Sequence, residues 1–505
     1  MKPKNRVKRR DFVKAMAGVA AMPTILHQGQ PAPPQRDNWI VQENSHPGTL
    51  EWQLQYTSFD NPITMASSPL IRNLRCPGIE GFVSKTSARP GESLDLSVSL
   101  RPAGGFLLDI YRMGYYGGKG ARHMVRLGPF RASPQPIPMM TAERLRECRW
   151  ERSAQIEIPR QWPSGVYLGK LTRDEPFGIQ SYVIFVVKDN RKSEVLCQVS
   201  DLTWQAYNKW PGRDSLYDDG TTEVWYTGPN VRVSFDRPYA KYGQIVDAPL
   251  STGSGEFLLW EHPMVFWLEQ QGYGVTYCSN LDLELDPAVL QDSKVFLSVG
   301  HDEYWSRKMF QEALRARDDG LSLAFFSGNS VYHEIIFYDN SQTGARRAFA
   351  RKGPAGTLGN EDELMGVKSY GPGYGDWVVT SPEHWIYERT GLRRGDRIPA
   401  IIGWEYHGTP AAIPGLEVVA SSPLFPPKRN DGDDPQQHAG VVYPCPKGNF
   451  VFNAGTIWWS EGLSQPPGHI PARVPNRAGT FGVDQRVQRI TSNLLDRMIR
   501  EGPRR

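Results

Sequence analysis

Two apolar runs, Val295–Val299 and Leu321–Phe326, each stop abruptly at residues that can do chemistry. The first is followed by His301, Asp302, Glu303 and Tyr304, the second by Ser327, Asn329 and His333. A third run, Val195–Val199, leads into Asp201-Leu202-Thr203-Trp204-Gln205-Ala206-Tyr207-Asn208. Ligands in open α/β sheets sit beyond the carboxyl ends of the strands. If the three runs are parallel strands of one sheet, their polar ends open on the same edge.

Such an edge offers the Glu303 carboxylate, the Tyr207 phenol, the His301 imidazole and the Asn329 amide. A second phenol, Tyr239 in Arg237-Pro238-Tyr239, lies in a loop between sheet strands and could reach it. Carboxylate and phenolate oxygens are hard ligands and suit a hard cation such as ferric iron. A bound cation would lower a tyrosine pKa, polarise a carbonyl and activate water. His301 would orient a ligand or move protons. The same residues have plainer readings. Tyr239 can be packing, the Gly-His-Asp-Glu turn a helix entry favoured by the helix dipole, and Asn329 a left-handed turn. His333 and His262 read as structural histidines. Other chemistries lack their signatures: no GxSxG elbow, no Walker A or GxGxxG loop after a strand, no HExxH, and no cysteine at a strand-to-helix elbow.

The elements that must position these residues follow from periodicity. Residues 45–190 read as a β-sandwich, immunoglobulin- or lectin-like. Leu94, Leu96, Val98 and Leu100 alternate with polar residues, and Arg89-Pro90-Gly91-Glu92 and Trp162-Pro163-Ser164-Gly165 are turn signals. From 193 to 500 strands alternate with helices, the pattern of a doubly wound parallel sheet. Pro263 opens one helix that Gly272 closes. Ser306 caps the next, whose apolar face carries Met309, Phe310, Ala313 and Leu314 and which Gly320 ends. Residues 421–439 read as an exposed loop, Phe450–Phe452 as a strand, and Val483, Val487, Ile490, Leu494 and Met498 as one face of a last helix.

The chain of 505 residues carries 58 basic and 54 acidic side chains, a net charge of +4. That small excess, without a run of like charge, implies no nucleic-acid partner. The amino terminus, residues 1–35, reads as a twin-arginine export signal and linker. Arg9-Arg10 precede Phe12, Lys14 and a short apolar run, which implies a periplasmic or secreted protein with no membrane attachment after signal cleavage. The five cysteines contain no CxxC.

Thr203–Asn208, Ser298–Ser306, Ala324–Asn329, Phe452–Gly455 and Thr491–Asp496 together resemble the large subunit of N,N-dimethylformamidase, over roughly residues 75 to 500. The resemblance implies a β-domain joined to a domain like the class I glutamine amidotransferase fold. It implies hydrolysis of a small amide by mononuclear ferric iron held by two tyrosines and a glutamate. Tyr207 and Glu303 match as ligands, with Tyr239 as the second tyrosine. His301 and Asn329 would polarise substrate or support the ligands, and Lys352 matches a family lysine. The family enzyme pairs its large subunit with a small helical one, which this sequence does not supply; a homo-oligomer remains open. The expectation is therefore an exported metal-dependent amidohydrolase, its rival a non-catalytic carbohydrate- or ligand-binding protein on the same scaffold.

Overall fold

Leu94, Leu96, Val98 and Leu100 alternate along Ser93–Leu100, and all four are fully buried. This strand lies between Ile79–Val83 and Arg152–Glu157 in an antiparallel three-stranded sheet. A five-stranded sheet runs in the order Ser87–Ala88, Gln180–Val187, Gly165–Arg173, Gly104–Met113, Ala121–Ala132. Leu96, Leu108, Ile110, Tyr167 and Phe185 belong to one core cluster spanning both sheets. Every residue of Gln180–Val187 is buried, because the strand has two packed faces. Val183 and Phe185 face the sandwich core, whereas Tyr182, Ile184 and Val186 join Val195, Trp204 and Val275 in the next layer.

The computed structural model describes residues 36–59, 74–218, 231–340, 344–353, 357–425, 436–469 and 482–502. The arginine pair of the export reading lies outside the described residues. The chain changes architecture between Val187 and Ser193. A seven-stranded sheet follows, ordered Val275–Ser279, Ser193–Val199, Ser293–His301, Ser322–Gly328, Phe450–Asn453, Gln437–Pro444, Glu417–Pro423. The first five strands are parallel, including the three that carry the chemical residues. The last two are antiparallel, so the sheet is mixed rather than wholly parallel. The cause is the short turn from Pro444 to Phe450, since a tight connection joins only antiparallel strands. Of the loop expected at 421–439, residues 421–423 and 437–439 are strand, paired antiparallel, and residues 426–435 lie outside the described residues.

The helix signals have physical counterparts. Ser306 Oγ accepts from Met309 N–H at 3.1 Å and caps Arg307–Asp318, which ends before Gly320 at φ 104°. The helix His262–Gln270 has Pro263 in its first turn and Gly272, at φ 73°, just beyond its end. Val487, Ile490, Leu494 and Met498 form the buried face of Gln485–Glu501.

Two smaller sheets complete the site. One runs Val233–Ser234, Gly344–Arg351, His333–Asn340, Tyr304–Ser306. The other pairs Val367–Pro372 with Glu405–Pro410.

Candidate metal centre

The strand Ser293–His301 turns sharply at Gly300, which takes φ 72°. A Cβ there would stand 2.4 Å from the Trp260 Cβ, so only glycine allows the turn. Beyond it, Asp302 accepts from Gln198 Nε2, Asn280 Nδ2 and Ser298 Oγ at 2.8, 2.9 and 2.8 Å. Glu303 N–H donates to Thr203 Oγ1 at 2.9 Å, and the Glu303 carbonyl accepts from Tyr332 and His333 N–H at 3.0 and 2.9 Å. Main-chain and side-chain bonds from several elements thus hold the Asp302-Glu303 turn that directs the Glu303 carboxylate.

A second carboxylate arrives from outside the seven-stranded sheet. Glu405 begins the strand Glu405–Pro410, and its backbone passes so close to Gly328 that a Cβ there would lie 2.5 Å from the Glu405 carbonyl oxygen. The approach brings Glu405 Oε2 within 2.8 Å of His301 Nε2. Glu303 Oε2 lies 3.3 Å from the same nitrogen, and Glu256 Oε2 lies 3.8 Å from His301 Nδ1. Ligand atoms of His301, Glu303 and Glu405 all fall within 4.8 Å of one another, and all three residues are buried. His301 Nε2 and Glu405 Oε2 are close but not aligned as donor and acceptor, and neither has a hydrogen-bond partner among the described residues. Two carboxylates and an imidazole aimed at a common point in this way can hold a metal ion.

Phenols surround Glu303. Tyr207 donates to Oε2 at 2.7 Å and Tyr217 to Oε1 at 3.2 Å, the two hydroxyls lie 3.2 Å apart, and their rings stack. Tyr217 also hydrogen-bonds Tyr304. His333 Nε2 stands 3.2 Å from Glu303 Oε1. Burial opposes a charge on Glu303, but His301 and His333 outweigh it and hold the carboxyl well below the usual range. Burial likewise opposes a protonated His301, yet the charge of Glu405, with Glu256 and Glu303, holds the imidazole well above its ordinary value. Burial and the Glu303 charge push the Tyr207 phenol up. A cation would reverse that push, since the phenolate would gain its attraction.

The structure therefore brings together Tyr207, His301 and Glu303. Asn329 joins them: it takes the left-handed turn at φ 48°, and its side chain favours the ionised form of the Glu405 carboxyl. Tyr239 packs edge-on against Trp204 and shares a cavity with Tyr207; among the described residues the second phenol bonded to Glu303 is Tyr217. Lys352 pairs with Glu334 at 3.0 Å and is more than half exposed. Glu334 neighbours His333 on a strand, so the two point to opposite faces and Lys352 lies away from Glu303. His333, read from sequence as structural, faces the carboxylate. His262 is a packing residue among Trp52, Phe257 and Phe266.

Sequence reasoning missed Glu405, Tyr217, His333 and Glu256. Glu405 follows the apolar stretch Ile398–Trp404, but its strand pairs outside the seven-stranded sheet, so the strand-end rule does not place it on the same edge. Tyr217 lies in a loop with no periodicity to mark it. Only contacts between sheets reveal either.

A mostly β scaffold with helices and several mixed sheets, built around a buried His/Glu/Glu group able to hold a metal, defines the class of protein. The profile described as N,N-dimethylformamidase beta subunit-like, C-terminal, matches residues 107–472, and the chain belongs to that family. The matched span contains all of the site residues named above. No curated protein matches the chain.

Proposed function

We propose that this protein is an exported, metal-dependent hydrolase of small amides, with mononuclear ferric iron as the metal. The observation that carries the reading is the convergence of His301, Glu303 and Glu405, ringed by Tyr207 and Tyr217, in a chain of the dimethylformamidase-like family. The Glu303 and Glu405 carboxylates and the two phenols would hold the ion, with His301 within reach. Tyr217 takes the place that the resemblance gave to Tyr239. Bound there, ferric iron would supply a Lewis acid for the amide carbonyl and lower the pKa of water.

The chain's own groups do the rest. His301, kept protonated by the nearby carboxylates, can deliver its proton to the departing nitrogen. Glu303, pinned through Thr203, keeps its carboxylate ionised. Asn329 steadies Glu405, and its amide Oδ1 is buried and open to a substrate N–H. Full burial of the group excludes bulk water and favours small substrates.

The test is elemental analysis of the purified protein together with formate and amine release from N,N-dimethylformamide and N-methylformamide. Near-stoichiometric iron and turnover, both lost in Glu303→Ala, support the reading. Protein without bound metal, or turnover unchanged by Glu303→Ala, overturns it. Fractionation of the native host tests export separately.

A further inference from the structure

A cavity of about 30 Å³ adjoins the centre, and its walls are aromatic. Trp204, Tyr207, Tyr239 and Tyr242 line it, and its polar members include Glu256, Gln244, Lys209 and Lys241. Glu256 is 2 % exposed, and its two oxygens differ. Oε2 accepts from the Trp260 indole at 2.8 Å. Oε1 is buried without a hydrogen-bond partner among the described residues, and so is Gln244 Oε1.

Both orphaned atoms are acceptors. Burying a carboxyl oxygen unpaired is costly, so this arrangement favours an occupant that donates. His301 faces the other oxygen, Oε2, at 3.8 Å, and the two lysines of the lining are held by acids of their own. Lys209 pairs with Asp218 at 2.8 Å and Lys241 with Asp247 at 2.5 Å. Aromatic faces around a carboxylate attract an ammonium group, through the ring quadrupole and the full charge together. Size narrows the occupant further. One water fills roughly 10–15 Å³ of such space, so the cavity holds about two non-hydrogen atoms, the bulk of methylammonium.

We propose that this cavity binds a small alkylammonium group, either carried on the substrate or released as the amine product. The product source rests on the hydrolase reading. Hydrolysis breaks the C–N bond, places the hydroxyl of water on the acyl carbon and its proton on nitrogen. The acid then loses its own proton, and the amine leaves as an ammonium ion.

The probe is methylammonium chloride, titrated into the full-length, metal-loaded protein by calorimetry. Methanol serves as a neutral control of equal size and tetramethylammonium as an oversized cation. Saturable methylammonium binding, roughly tenfold weaker in Glu256→Gln, with both controls silent, is expected. Equal affinity in Glu256→Gln and the wild type overturns the proposal, as does binding of either control as tightly as methylammonium. Should Glu256→Gln fail to fold, Tyr239→Leu removes one aromatic face and must weaken binding.

Two kinetic arms separate the sources. Inhibition of N-methylformamide turnover at the calorimetric affinity assigns the site to product. Faster turnover of N-(2-aminoethyl)formamide than of N-propylformamide assigns it to substrate. A protein that binds methylammonium through Glu256 yet hydrolyses no amide keeps this site and loses the hydrolase reading. One that hydrolyses amides without binding methylammonium loses only this site.

Discussion

His301 Nε2 and Glu405 Oε2 meet at 2.8 Å, although one ends a strand of the seven-stranded mixed sheet and the other begins a strand of a separate two-stranded sheet. Metal binding at this point would bridge the two sheets. Glu405→Gln keeps the volume and removes the charge. Its metal affinity is expected to fall roughly 10–100-fold, as for other changes around a metal site, measured by chelator competition. Undiminished affinity would remove Glu405 from the ligand set.

Metal removal has a thermal consequence. An ion that binds only the folded chain stabilises it by about 2.7 kcal/mol at a hundredfold excess over its Kd. Chelation should therefore lower the melting temperature, and re-addition should restore it. A melting curve indifferent to chelation would mean that the ion is not held by the folded site.

A second carboxyl acts on stability through pH. Burial, only partly offset by a Ser200 N–H bond at 3.2 Å and a Trp204 indole bond at 2.8 Å, pushes Glu261 up to about 8 from 4.5. The native state keeps the proton that the unfolded chain loses. Its contribution is therefore full below about 4.5, falls as pH rises, and is lost above about 8. Glu261→Gln retains the accepting oxygen and removes the titration. Urea midpoints of the variant should decline less between these limits than those of the wild type, and parallel curves would refute the assignment.

Arg112 and Glu269 form an ion pair at 2.8 Å with neither side chain exposed, linking the sandwich strand Gly104–Met113 to the helix His262–Gln270. Burial lowers the Arg112 pKa, but the Glu269 charge more than compensates and holds it well above its usual value. Removing one partner strands the other. Glu269→Ala should cost roughly 3–5 kcal/mol in denaturant unfolding, whereas replacing both with apolar residues of similar volume should cost much less. Equal losses in single and double variants would show that packing, not charge, dominates.

Sequence periodicity located the parallel strands because each is a short apolar run closed by a turn residue, and Gly300 and Gly320 are required by their backbone angles. That alone placed His301, Glu303 and Tyr207 on one edge. It could not place Glu405, whose position depends on a close backbone contact with Gly328 and not on any local pattern. It named Tyr239 and passed over Tyr217, since both lie in loops where spacing says nothing about reach. His333 was obscured for another reason. Its strand pairs in parallel with the three residues Tyr304–Ser306, a ladder too short to leave a periodic trace.

The close approach of the Glu405 carbonyl to Gly328 sets two backbones, not two side chains, so near that no Cβ fits between them. Glu405 thus owes its place to a part of the chain that substitution at neighbouring positions scarcely moves. The walls contributed by Tyr239, Tyr242 and Gln244 belong instead to loop side chains, each replaceable on its own. Descendants of this chain could change the molecules they admit by altering that loop, while the spacing of His301, Glu303 and Glu405 is inherited intact.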